Sequence, residues 1–373
     1  MIIDHIETIR ADTWMIVVIG TDTGLVGVGE AGLWALPDSV AATIAALREG
    51  LLKTDPLQME HKWQSAYRFS HFRSASLTAA LSAIDIALWD IAGQHFGAPI
   101  YSLMGGKVRD RVRLYFHIFG NDRDELAAAA KAAVAGGYTA VRFDPFRGTW
   151  PRLRHPRMIE DAAARVRAVR DEVGADIDVC IECHFKLNGG EAVAFGRAIA
   201  DQNVLFVEDP VQPESPARVA NVARSMGVPI ATGERLQLLP EFRDLMRDDA
   251  VTYIRPDICL AGGFTQVRKI AAIAEAAGIG VIPHNWLSPI CTAACIQLGA
   301  ALPNFVIQEA TDETAPPKAG VLRDAIRIEG GYAVVPDGPG LGVTADLDYL
   351  RQLTPRQVRL ESPQREDGTV VDH

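Results

Sequence analysis

From residue 112 onward the chain repeats one pattern: a short apolar run ending on a polar residue, then an amphipathic helical stretch. Strand-like runs fall at Val112 to Ile118, Ala140 to Phe143, Ile177 to Cys183, Val204 to Val207, Pro229 to Thr232, Thr252 to Arg255, Gly280 to Pro283 and Phe305 to Ile307. Helical periodicity lies between them, as at Glu125 to Val134, Met158 to Val173, Gly190 to Ala200 and Phe264 to Ala276. Alternation of this kind marks parallel βα units, because parallel strands need a crossover long enough to hold a helix. Eight strands with seven helical segments between them are enough to close a barrel, and such barrels carry their chemistry at the C-terminal ends of the strands.

The flanks read differently. Ile2 to Ile9, Trp14 to Gly20 and Gly24 to Glu30 are short strands, the last two joined by the turn Thr21-Asp22-Thr23. Helical spacing follows at Val40 to Leu52 and Ser76 to His95. Residues 1–111 are therefore expected to form an α+β cap and residues 112–320 the barrel, with 321–373 returning strands to the cap. A chain of 373 residues calls for about two domains in any case.

Composition narrows the function. A net charge of -10 argues against a nucleic-acid partner, since phosphate binding needs a basic face. It leaves room for an anionic substrate, because a bound cation inverts the local field. The first ten residues carry Asp4, His5, Glu7 and Arg10 and have no signal-like apolar core. No apolar run is expected to span a bilayer, and five scattered cysteines read as reduced, buried thiols of a cytoplasmic protein. Cys180 and Cys183 have C-x-x-C spacing, but they lie in a strand with no second pair, so core cysteines are expected rather than a zinc or redox site.

The chemistry-bearing residues recur with the barrel's own period. Glu182, Glu208 and Glu234 close the third, fourth and fifth strands at an equal spacing of 26 residues (182 to 208, 208 to 234). Asp257, His284 and Glu309 close the sixth, seventh and eighth. One acidic strand end is ordinarily a helix cap or salt-bridge partner; three in succession, facing one mouth, repel unless protonated or bound to a cation. Oxygen-only ligands with positions left for water and substrate favour Mg²⁺ over zinc. His284 alone would be a satisfied loop histidine, but Asp257 on the adjacent strand can hold its tautomer and raise its basicity, which makes a proton-abstracting pair. His184, two residues beyond Glu182, points into the mouth if strand alternation holds. It is either an acid for a departing hydroxyl or a partner of the metal ligands.

These residues carry a resemblance to the enolase superfamily, in its mandelate-racemase-like branch, over essentially the whole chain. The motifs are Ser82 to Asp90 (SAIDIALWD), Leu103-Met104-Gly105-Gly106, Phe206 to Pro210 (FVEDP), Thr232-Gly233-Glu234-Arg235, Pro256-Asp257 with Ala261 to Thr265 (AGGFT), and Pro283-His284-Asn285. Trp14-Met15, Glu182-x-His184 and the Arg365-Glu366-Asp367-Gly368 tail are similar to galactonate dehydratases. The resemblance implies an α/β fold, a modified TIM barrel (β/α)₇β with an α+β capping domain whose loops close over the substrate. It implies Mg²⁺ on Glu182, Glu208 and Glu234, a His284–Asp257 base, His184 as acid, Glu309 near the substrate carboxylate, and a homo-oligomer, octamers being common.

Two positions depart from that branch: Glu182 stands where aspartate is common, and Arg142 occupies the second-strand end where relatives carry lysines. Arg142 cannot serve as a base near neutral pH, which disfavours a two-base racemase using that strand and leaves it as a substrate-binding cation. Trp34 in Leu33-Trp34-Ala35, and Tyr67, His71 and Arg73 in a second cap loop, are the candidates for distal hydroxyls, with Asn285 a further substrate contact. The expected reaction is loss of water from a sugar acid, with C2 proton abstraction, the enediolate held partly by a protonated Glu309, and a 2-keto-3-deoxy product. Three alternatives remain open: a racemase, epimerase or cycloisomerase through the same enediolate, a non-catalytic sugar-acid-binding protein, and a metal-dependent hydrolase, the last disfavoured because it would need histidine-rich ligands.

Overall fold

The computed structural model describes residues 1–148, 150–247, 249–359 and 361–372. The chain opens with an antiparallel meander, β1 (Ile3–Ala11), β2 (Trp14–Thr21) and β3 (Val26–Ala31), followed by helices α1 (Pro37–Leu51), α2 (Met59–Phe69), α3 (Ala75–Phe96) and α4 (Ile100–Leu103). α3 is apolar nearly all round, so it is buried on nearly every side. Ser74 caps its start and Gly97, in the left-handed region, its end. Although an apolar run able to cross a membrane was not expected, α3 is long and apolar enough to do so; it lies inside the molecule instead. Gly27 and Gly29 explain how β3 lies against it: a Cβ on either would fall about 2 Å from the carbonyl oxygens of Ala87 and Ala83.

The (β/α)₇β barrel follows as β4 (Arg111–His117), α5 (Arg123–Ala135), β5 (Ala140–Phe143), α6 (His155–Val173), β6 (Asp178–Glu182), α7 (Gly189–Ala198), β7 (Phe206–Glu208), α8 (Pro216–Met226), β8 (Ile230–Thr232), α9 (Leu239–Met246), β9 (Tyr253–Ile254), α10 (Gly263–Ala276), β10 (Gly280–Val281), α11 (Pro289–Ala301) and β11 (Gln308–Ala310). Each strand from β4 to β9 pairs in parallel with the next. A bridge from Val281 to Phe305 and the pairing of β11 with β4 close the ring. The last strand thus lies at Gln308–Ala310 rather than Phe305 to Ile307, and Glu309 is within it, opposite Tyr115.

The return segment differs from expectation. β12 (Ile328–Glu329) and β13 (Tyr332–Val334) form a hairpin on the N-terminal half of β4, at Arg111 to Arg113, and so pack on the barrel rather than the cap. Only beyond it does the chain reach the cap, where α12 (Leu347–Gln352) pairs Arg351 with Glu7, followed by Arg356 with Asp12. Cap and barrel are tied through α3. Ser82 accepts from Gly262 N (2.8 Å), Asp85 from Thr265 N (2.9 Å) and Asp90 from Val28 N and Leu341 N, while Trp89 Nε1 donates to Thr265 (2.9 Å). Asp85 and the hydroxyl of Ser82 therefore satisfy N–H groups that the start of α10 leaves unpaired.

Candidate active site

Parallel register places the first two carboxylates side by side, Glu182 on β6 directly opposite Glu208 on β7. Glu234 arrives one strand on through Gly233, whose φ of 132° and contact with Phe242 leave no room for a side chain. One carboxylate oxygen from each of the three lies within 4.8 Å of the others. Glu182 Oε2 and Glu208 Oε1 are buried without a hydrogen bond, although arginines stand against both. Converging oxygens of this kind suit a hard divalent cation.

Two arginines supply the nearby positive charge. Arg142 meets Glu182, lies 3.0 Å from Glu208 Oε2 through Nη2, and donates from Nε to the same oxygen. Arg255 is fully buried, its Nε 2.6 Å from Glu208 Oε1, its Nη2 2.7 Å from Glu309 Oε2, and its Nη1 donating to the Tyr115 hydroxyl. Burial opposes the charge on Arg255, but Glu208, Tyr115 and Glu309 hold its pKa well above the ordinary value.

Glu309 accepts at both oxygens, from His117 Nε2 (2.7 Å) at Oε1 and from Arg255 and Asn285 N (2.7 Å) at Oε2. Burial alone would raise its pKa, yet Arg255, His284 and His117 hold it well below the usual carboxylate range. In this structure both oxygens of Glu309 act as acceptors, which differs from the expected protonated carboxyl that donates to the enediolate. His117 follows from the same logic. Arg142 can only donate, so His117 Nδ1 (3.2 Å away) accepts and its Nε2 carries the proton given to Glu309. Burial, helped by Arg142, pushes His117 down to about 4 and keeps it neutral.

The His284–Asp257 pair is assembled by the backbone. A parallel bridge joins the two residues just past β9 and β10, and His284 Nδ1 lies 3.0 Å from Asp257 Oδ2. Asp257 Oδ1 accepts from Cys259 N (2.7 Å), which leaves Oδ2 for the imidazole. The other ring nitrogen, Nε2, is 3.6 Å from Glu234 Oε2. Burial would lower the His284 pKa, but Glu234, Glu309 and Asp257 raise it to about 10.

His184 reaches the site by a different route from the one expected. β6 ends at Glu182, and His184 has φ 47°, so strand alternation does not set its direction. Its backbone N–H donates to Glu182 Oε1, and its ring, after His284, helps to hold the Glu234 carboxyl's pKa down against burial. Asp209 is likewise in the left-handed region, buried, and hydrogen-bonded by Thr232; burial pushes its pKa well above the ordinary value.

The remaining candidates are dispersed. Tyr67 is in α2, not in a loop; it stacks on Trp63 at 4.8 Å, with the Arg73 guanidinium 4.2 Å from its ring centre. His71 and Arg73 are exposed on the cap and Trp34 packs half-buried on the core. Asn285 is turned inward: its side chain donates to Thr292 (2.7 Å) and accepts from Leu287 N, so it is satisfied within the protein. Arg255 and His117 were missed, though the signal was available. Arg255 lies two residues before Asp257, and His117 ends the first barrel strand as Glu182 ends the third.

Comparison with known proteins agrees with this architecture. Residues 125–349 match the enolase C-terminal domain-like family, and residues 4–105 match the mandelate racemase / muconate lactonizing enzyme N-terminal domain. The chain belongs to the mandelate racemase / muconate lactonizing enzyme family of the enolase superfamily, and it is an enzyme. It is 32% identical to a D-galactonate dehydratase of Variovorax paradoxus over 100% of both chains. It is also 32% identical to a D-gluconate/D-galactonate dehydratase of Picrophilus torridus, over 92% of this chain and 89% of that one. Among solved structures it is similar to an enolase from Agrobacterium radiobacter bound to sodium and L-malate, with TM-score 0.94 and 28% identity over 100% of both chains. A member of the enolase superfamily from Salmonella Typhimurium shares 30% identity at TM-score 0.89, covering 94% of this chain and 97% of that one.

Proposed function

We propose that the protein is a Mg²⁺-dependent sugar acid dehydratase that removes the C2 proton and the C3 hydroxyl of an aldonate, such as galactonate or a relative, to give a 2-keto-3-deoxy acid. The observation that carries this reading is the convergence of Glu182, Glu208 and Glu234 beside a hydrogen-bonded His284–Asp257 pair, in a chain similar end to end to galactonate dehydratases. Glu182, Glu208 and Glu234 would hold Mg²⁺, which would supply positive charge to acidify the C2 proton and to offset the carboxylates that keep His284 protonated.

His284 takes the C2 proton on Nε2, while Asp257 fixes Nδ1–H and steadies the imidazolium. Arg142, held against Glu182 and Glu208, keeps positive charge beside the position of the substrate carboxylate. Glu309 holds Arg255 and the Asn285 backbone in place rather than donating a proton. His184 delivers a proton to the C3 hydroxyl as it leaves, and the enol tautomerises to the ketone. Trp34, His71 and Arg73 of the cap are the groups left to read the distal hydroxyls. Five buried cysteines with no disulfide support a reducing, cytoplasmic setting.

The test is a screen of the purified protein with Mg²⁺ against four- to six-carbon aldonic and aldaric acids, reading 2-keto acid formation with semicarbazide. A substrate whose turnover stops with EDTA and returns with Mg²⁺ is expected. Exchange of the C2 proton in D₂O without loss of water would instead assign a racemase or epimerase, and neither reaction on any of these acids would overturn the sugar acid reading.

A further inference from the structure

Asp257 has a second set of neighbours that the proposed reaction leaves unused. Ligand atoms of Asp257, Cys259 and Cys291 lie within 4.8 Å of one another, and Cys295 Sγ is 4.0 Å from Cys291 Sγ. All four residues are buried, and the three cysteines are free thiols. Cys259 follows β9, whereas Cys291 and Cys295 stand one turn apart on α11. The cap closes the group in: Gly32 N donates to Cys259 O (2.7 Å), and a Cβ on Gly32 would lie 3.0 Å from Asp257 Oδ2. Glu30 also reaches in from the cap, accepting from Ser288 and from Cys291 N (3.2 Å).

A single buried cysteine behaves as a small apolar side chain. Two sulfurs gathered around one carboxylate, with a third sulfur beside one of them, are a different environment, because thiolates and an oxygen at this separation match the ligands of a soft ion. The mouth, by contrast, offers oxygens alone. We infer that Cys259, Cys291 and Asp257 form a second cation site that takes a thiophilic divalent ion of the zinc or cadmium class and thereby shuts off the His284–Asp257 pair.

Binding replaces the thiol protons of Cys259 and Cys291, which leave to solvent as two metal–sulfur bonds form. Asp257 then shares its charge with the ion and supports the imidazolium of His284 less well. Hard Mg²⁺ does not compete for these sulfurs, so the mouth and this site discriminate by ligand softness. The site itself rests on the thiol geometry; the loss of activity rests on the dehydratase reading above.

The experiment is a cadmium titration of the full chain in saturating Mg²⁺. One equivalent should produce thiolate-to-cadmium charge-transfer absorption with release of two protons, and X-ray absorption at the cadmium edge should count at least two sulfurs. The absorption should vanish in Cys259→Ala/Cys291→Ala and persist in Cys180→Ala, which alters a buried thiol elsewhere in the barrel. Absence of the band, a sulfur-free cadmium shell, or a band that survives in the double variant overturns the site; if that variant does not fold, the sulfur count on the unaltered protein decides alone. With a substrate in hand, turnover should fall at least about tenfold as the band grows and recover when a chelator strips the cadmium. Full turnover with the band complete overturns the shut-off. A band in a protein that turns over nothing before cadmium counts against the dehydratase reading and leaves the site standing.

Discussion

Two layers of the same barrel, two residues apart along its strands, have opposite chemistry. The lower layer holds Tyr115, Ala140, Cys180, Phe206, Ile282 and Ile307, all fully buried in one cluster. Two residues further along each strand stand His117, Arg142, Glu182, Glu208, His284 and Glu309. Strand alternation turns both sets into the barrel, so the mouth rests on an apolar floor. The difference teaches how the charges survive there. Low polarity beneath them strengthens each pairing and makes each unpaired group costly. Among the described residues, Glu182, Glu208, Glu234, Asp257 and Glu309 gather there around Arg142, Arg255 and His284, so carboxylates outnumber cationic side chains at the mouth and a divalent ion suits it.

The largest effect should come from removing a charge that acts in the reaction. His284→Asn keeps the size and polarity of the side chain but abolishes the base. The rate of 2-keto acid formation should fall by about 10²–10⁴-fold. Retention of more than a tenth of wild-type turnover would remove His284 from the reaction.

Next comes a change that breaks pairing without touching the base. Arg255→Met leaves Glu208 and Glu309 without their shared guanidinium. Urea unfolding in EDTA should show a loss of about 3–5 kcal/mol, the typical cost of orphaning a buried charge. An unchanged midpoint would mean that the mouth is far more hydrated than its burial indicates.

Acidity sharpens the comparison with a smaller effect. The pKa of His284 is raised from 6.5 to about 10 when no cation is bound. A raised folded-state pKa contributes stability that is fully present below about 6.5 and is lost as pH rises through about 10. Stability of the EDTA-treated enzyme should therefore decline across that window, and the decline should be shallower in His284→Asn. The carboxyl of Glu309 runs the other way: its depressed pKa contributes stability above the ordinary carboxylate range that is lost on acidification. Equal slopes for wild type and His284→Asn would show that Glu234 and Glu309 do not hold the imidazolium.

The barrel and its charged mouth were legible because both repeat. Strand alternation with helices marks the βα units, and the equal spacing of Glu182, Glu208 and Glu234 marks one end of the ring. What escaped depends on three-dimensional pairing. Arg255 and Glu309 are far apart in sequence, and only barrel closure makes them partners, so nothing local reveals that Glu309 accepts on both oxygens. His184 was misdirected because the backbone leaves the strand at Cys183 and turns into the left-handed region. The hairpin β12–β13 was sent to the cap because an edge on β4, already beside β11, could not be foreseen from alternating residues. The helix α2 was passed over because it is polar, with its buried positions limited to Lys62 and Trp63.

The smallest effect tests whether the floor matters for chemistry or only for support. Ile307→Val removes one methylene directly beneath Glu309 while leaving every charge in place. It should cost about 0.5–1.5 kcal/mol in urea unfolding, as expected for a buried Ile-to-Val change. Turnover should stay within about twofold, since an added void this small leaves no space for a water molecule beside the carboxylates. A larger fall in turnover with the same stability loss would mean that the floor positions Glu309, and through Glu309 the guanidinium of Arg255, to within the tolerance of the reaction. In that case the two layers would act as one unit, and the apolar layer would belong to the active site as fully as the charges it carries.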